Sequence, residues 1–83
     1  MIRAAKRDAV EPEIIQALEA AGVRVQPLSA PGVPDLLTWT PRTGFRLLEV
    51  KSRYGTLTKA QKRFAKMPYT VVRTAEEALT LFA

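Results

Sequence analysis

Neither cysteine nor histidine occurs anywhere in the chain. Without cysteine no disulfide staples the fold and no thiolate site can hold a metal. Without histidine every imidazole base or ligand is excluded, and with it the zinc sites built on His or Cys. Any chemistry must therefore come from Asp, Glu, Lys, Ser, Thr or Tyr. Long apolar runs are missing as well. The opening Met-Ile-Arg-Ala-Ala-Lys-Arg has no apolar core of the signal-peptide kind, and no later stretch is long enough to span a membrane. The expected location is cytoplasmic, with no membrane partner.

What is present fits one small folded domain over residues 1–83, with residues 1–7 loosely held. Hydrophobic residues make up 47% and charged residues 25%, ordinary for a globular chain. At this size the core is thin, so a partner subunit is expected. The charge is +5 and unevenly placed: residues 42–73 hold nine Lys or Arg against one acid, Glu49. The first 41 residues hold four bases and five acids. A basic half of this kind suits a polyanion, because each neutralised phosphate releases a condensed counterion. The plainer reading is a basic surface that keeps a small protein soluble.

Spacing gives the elements. Ile14, Ile15, Leu18 and Ala21 recur at helical intervals, so a helix is predicted over 11–21, capped by Asp8 or Glu11 with Pro12 in its first turn and stopped by Gly22. Glu11 and Glu13 both suit the positive end of that helix. A strand over 23–28 carries Pro27, which marks an edge or an early end. A Pro- and Gly-containing loop delivers the chain to Asp35. Residues 36–40 and 45–52 read as the two strands of a hairpin around the turn 41–44. A helix over 59–67 follows, capped by Thr58 and stopped by Pro68, with an apolar stripe of Ala60, Phe64 and Met67 and a basic face of Lys59, Lys62, Arg63 and Lys66. A strand over 69–74 and a last helix from Thr74 or Ala75 through Phe82 complete an α-β-β-β-α-β-α order. The helical crossover makes the last two strands parallel.

The strand 45–52 carries the informative pattern. Side chains two apart share a face, so Glu49 and Lys51 project together into a cleft while Leu48 and Val50 turn to the core. A hairpin centred on Arg42 sets Asp35 opposite Glu49, to within one residue. Two carboxylates and a lysine then converge, enough to hold Mg²⁺ beside a phosphodiester without histidine. Lys51 would orient or deprotonate a water, or neutralise charge in the transition state. A plain same-face ion pair between Glu49 and Lys51, and a turn role for Asp35, are the structural alternatives.

Gly32-Val33-Pro34-Asp35 followed by Leu48-Glu49-Val50-Lys51 resembles the G-x-P-D … E-x-K signature of the PD-(D/E)xK nucleases. The chain resembles most their small stand-alone VRR-NUC (virus-type replication-repair nuclease) domains of phages and bacteria, over residues 8–83. Glu13, the Leu57-Thr58-Lys59-Ala60-Gln61 motif, Val71-Val72-Arg73-Thr74 and Glu76-Glu77-Ala78-Leu79 match in order. The loop 53–56 is shorter than in many relatives. The resemblance implies an α/β, restriction-endonuclease-like core with a central mixed sheet flanked by helices. It implies a metal-dependent endodeoxyribonuclease, selective for branched or Holliday-junction-like DNA and working as a homodimer in DNA repair. It implies Asp35, Glu49 and the Val50 carbonyl as ligands of Mg²⁺, with Mn²⁺ able to substitute and no organic cofactor. Lys51 is implied as the catalytic lysine, Glu13 as an outer acid with Glu11 its rival, and Gln61 as a support.

Arg42, Arg46, Arg53, Lys59, Lys62, Arg63 and Lys66 are the expected phosphate contacts. With few aromatics, Trp39, Tyr54 and Tyr69 being the candidates, backbone and shape recognition is expected over base readout. A non-catalytic DNA-binding module and a small protein that docks an acidic partner are the rival functions.

Overall fold

The computed structural model describes residues 9–30, 32–52 and 68–83. Helix α1 spans Glu11–Ala20, followed by strands β1 (Arg24–Pro27), β2 (Leu36–Thr40), β3 (Gly44–Val50) and β4 (Tyr69–Val72), and by helix α2 (Ala75–Thr80). The crossover helix expected over 59–67, with Gln61 and its flanking motif, lies outside the described residues.

Local chemistry explains where the elements stop. Helix α1 begins with Pro12 in its first turn, but its N-cap is Val10, which supplies no side-chain cap. Glu11 is thus the first helical residue rather than the cap, and Asp8 lies outside the described residues. At the other end Gly22 takes φ +90°, a conformation open to a residue without Cβ. The Gly22 N–H reaches the Glu19 carbonyl and the Val23 N–H the Leu18 carbonyl, both at 3.0 Å, closing the helix in a Schellman turn. Val23 is spent on that closure, so β1 starts one residue later than expected.

Helix α2 is capped by Thr74, whose hydroxyl accepts from the Glu77 N–H at 3.0 Å. Use of Thr74 as a cap is what shortens β4 at its end. Leu81 and Phe82 close the helix through bonds to the carbonyls three residues back.

The strands form one sheet in the order β1-β2-β3-β4. β1 pairs antiparallel with β2, β2 antiparallel with β3, and β3 parallel with β4. Pro27 sits on the edge strand, where a missing N–H costs no ladder bond. Both described helices pack on one face. There Ile14, Leu18, Leu36, Leu48, Val50, Val72 and Ala78 form a core fully out of solvent, with Val23 at its margin. Thr38 is buried in this layer and its hydroxyl donates to the Arg46 carbonyl at 2.9 Å. The opposite face of β2 and β3 carries Leu37, Trp39, Phe45, Leu47 and Glu49.

Candidate active site

The hairpin turn sets the site's register. Three residues connect Thr40 to Gly44, and Gly44 sits at φ +71°. The Thr43 N–H donates to the Thr40 hydroxyl at 3.0 Å, and the two threonine hydroxyls meet at 2.7 Å. With the turn so fixed, Leu36 pairs with Leu48. One further step sets Asp35 opposite Glu49, as expected from the sequence.

Asp35 does more than stand opposite. Its carboxylate Oδ2 accepts the Val50 N–H at 2.8 Å. The next ladder partner of Val50 would be Pro34, at the point where β2 has ended, and the carboxylate takes the place of a strand carbonyl there. The Asp35 backbone is held as well, since its carbonyl accepts from the Leu28 N–H at 2.7 Å. In an antiparallel pair both backbone groups of a residue lie on the same edge of the strand. The Val50 carbonyl therefore lies on the edge that Asp35 occupies. The Lys51 N–H points to the other edge, where the Val72 carbonyl accepts it at 3.0 Å.

Glu49 is the deeply placed acid, with 1% of its side chain exposed. Lys51 reaches it from the same face at 3.8 Å and is itself 13% exposed. The cleft expected to expose these two residues is thus a nearly covered one around Glu49. A carboxylate this buried is tolerated only with charged, hydrogen-bonding or metal partners. Arg73 steadies the strand just beyond: its guanidinium donates to the Ser52 carbonyl at 2.6 Å, while its N–H donates to Glu77 at 2.7 Å. The sequence offered no signal for that bond, because it joins positions 21 apart whose approach depends on the β3–β4 register.

The helix acids separate cleanly. Glu11 shares the inward stripe of Ile14 and Leu18 and is 5% exposed, whereas Glu13 lies on the exposed face. Arg42 is exposed at the hairpin turn. Arg46 lies on the helix face of the sheet, its guanidinium 6.0 Å from the centre of the Phe82 ring. Arg53, Lys59, Lys62, Arg63 and Lys66 lie outside the described residues. No three acidic side chains gather into a metal-holding cluster among the described residues. Asp35 just before β2, and Glu49 and Val50 on β3, are the oxygen-bearing groups that the hairpin brings near one another. All-oxygen donors of this kind match a hard divalent cation that keeps several of its waters.

Residues 4–68 match the model of the VRR-NUC domain family. The chain belongs to the VRR-NUC family. A solved structure described as a VRR-NUC domain superposes with a TM-score of 0.67 at 28% identity, covering 88% of this chain and 89% of that one. No curated protein matches the chain. Membership makes this a nuclease-type domain, and its four-stranded mixed sheet with flanking helices is the restriction-endonuclease-like fold. The VRR-NUC match takes in Asp35, Glu49, Val50 and Lys51, and extends through the crossover. Among the described residues no helix is long and apolar enough to cross a membrane.

Proposed function

We propose that this VRR-NUC domain is a divalent-metal-dependent endonuclease that hydrolyses DNA phosphodiesters. The observation that carries the reading is the bond from the Val50 N–H to Asp35 Oδ2, which ties the two halves of the acid–lysine set together. Asp35, Glu49 and the Val50 carbonyl would hold Mg²⁺ or Mn²⁺. When bound, such an ion polarises a phosphoryl oxygen and makes a bound water acidic.

The chain's own residues do the rest. Asp35, anchored by Val50, keeps one carboxylate oxygen on the strand while its other oxygen is oriented by that bond. Lys51 brings a cation beside Glu49, where it orients the attacking water or balances charge on the phosphate. Glu11 is the helix acid best suited to an outer role, because it is turned inward and Glu13 is not. Arg42 and the basic residues of 53–66 would hold the DNA backbone. Two copies related by a two-fold axis would cut two strands of a branched or junction DNA symmetrically.

A non-catalytic DNA-binding module is favoured by one fact: Asp35 and Lys51 already have intramolecular partners in Val50 and Glu49. The two readings separate in one assay. Supercoiled and branched DNA are incubated with Mg²⁺, Mn²⁺ or EDTA, beside Lys51→Ala. Metal-dependent cutting that Lys51→Ala lowers by about two orders of magnitude or more supports the nuclease. Intact DNA with both metals, or undiminished cutting by Lys51→Ala, sinks it.

A further inference from the structure

We propose that Trp39 and Phe45 form a stacking platform for an unpaired base, on the same sheet face as the acid–lysine site; the platform's role in cutting rests on the nuclease reading above. The β2–β3 register makes the two aromatics direct cross-strand partners. The Val50 N–H points to the β2 edge and the Lys51 N–H to the β4 edge. By alternation, Phe45 occupies a position without ladder bonds to β2, where paired side chains approach most closely.

Phe45 is 73% exposed, the large hydrophobic side chain that the described residues leave most open to water. Beside it lies a concavity of about 770 Å³ whose lining includes Glu19, Arg24, Gln26, Leu37, Trp39 and Phe45. Arg24 stands directly across β1–β2 from Trp39, and Arg42 is exposed at the adjoining turn. A cross-strand aromatic pair with arginines on the neighbouring strand and turn matches a nucleic acid strand: the rings take a base face and the guanidinium groups take phosphates.

The face is continuous with the site. Phe45, Leu47, Glu49 and Lys51 alternate onto it, and four residues of strand separate Phe45 from Glu49, about 13 Å at ~3.3 Å each. That is roughly four nucleotides at the stacked rise of ~3.4 Å, and fewer along an extended strand. The substrate implied is DNA with unpaired nucleotides a few positions from the scissile phosphate.

Trp39 is the one tryptophan in the chain, so its emission reports this platform alone. In EDTA, where no strand is cut, the full chain is titrated with a short oligothymidylate and with a blunt duplex of equal length. The single strand is expected to quench Trp39. Phe45→Ala should weaken single-strand binding about 5- to 150-fold, Phe45→Tyr should restore it, and duplex binding should stay within about twofold. Because Phe45 is exposed, the variant is expected to keep the wild-type circular dichroism and melting curve.

Absent quenching, single-strand binding unchanged by Phe45→Ala, or equal losses for both DNAs overturns the platform. So does Trp39 emission that shifts with protein concentration alone, the sign of a second copy on this face. Quenching lost in Phe45→Ala from a protein that cuts nothing would keep the platform and sink the nuclease reading. Cutting with an unresponsive Phe45→Ala would do the reverse.

Discussion

Asp35 holds a structural position and, under the proposed function, a chemical one, and the two can be separated. Asp35→Asn keeps an oxygen that can accept the Val50 N–H but removes the charge. Its melting temperature should stay near that of the wild type while metal-dependent cutting falls at least a hundredfold. Asp35→Ala should lose the cutting and also about 1–3 kcal/mol of stability, because a part-buried N–H is left without its acceptor. Paired thermal melts and plasmid assays read the difference, and an Asn variant that cuts like wild type removes Asp35 from the chemistry. The acids and the lysine were legible in the sequence, because their order and spacing are carried by the chain itself. The Asp35–Val50 bond was not, since it depends on which edge of β3 the Val50 N–H faces. The choice between Glu11 and Glu13 was equally closed to spacing: both sit in the first turn of α1, and only packing shows which one is turned inward.

Among the elements, the hairpin decides most. Its register follows from a three-residue connection with Gly44 at φ +71°. Space is open around an added Cβ at that position, so a substitution there meets backbone strain alone. Gly44→Ala is expected to cost about 1–2 kcal/mol, the penalty of a left-handed conformation for a residue with Cβ. In a domain of this size that lowers the melting temperature by roughly 4–16 °C. An unchanged melting temperature would mean that the turn rearranges.

At α2, Thr74→Ala removes the hydroxyl that accepts the Glu77 N–H and should cost about 1 kcal/mol, read by the same melt. Both hairpin strands, the edge position of β1 and the parallel β3–β4 pair were readable from alternation, Pro27 and the length of the crossover. Element ends were less so. The competition of Val23 and Thr74 between strand and cap is settled by hydrogen bonds that form only in the folded chain.

For the whole molecule the useful quantities are metal linkage and salt dependence. A cation that binds the native state alone stabilises it by about 1.4 kcal/mol at tenfold excess over its Kd. Mg²⁺ should therefore raise the wild-type melting temperature by several degrees, and Glu49→Gln should abolish the rise. A shift that survives in Glu49→Gln places the ion elsewhere. DNA binding should weaken steeply with salt, log K falling linearly with log salt. Arg42→Ala should reduce that slope by about one if its guanidinium sits on a phosphate. The concentration of nine bases in residues 42–73 forecasts this behaviour without any coordinates.

By itself the sequence determined the set of possible chemistries, the helix and strand periods, the hairpin, and the ordered acid–acid–lysine set. All of these are properties of residue type and of spacing along one chain. Tertiary structure alone decided that Glu49 is nearly covered, that Glu11 faces inward, that Arg46 meets Phe82, and that Asp35 grips the Val50 peptide. It also set Trp39 beside Phe45 on the sheet face opposite the described helices. The physical reason is the same in each case. Burial, edge and cross-strand neighbours are fixed by ladder phase and by what packs above a strand, and neither is carried by any single segment.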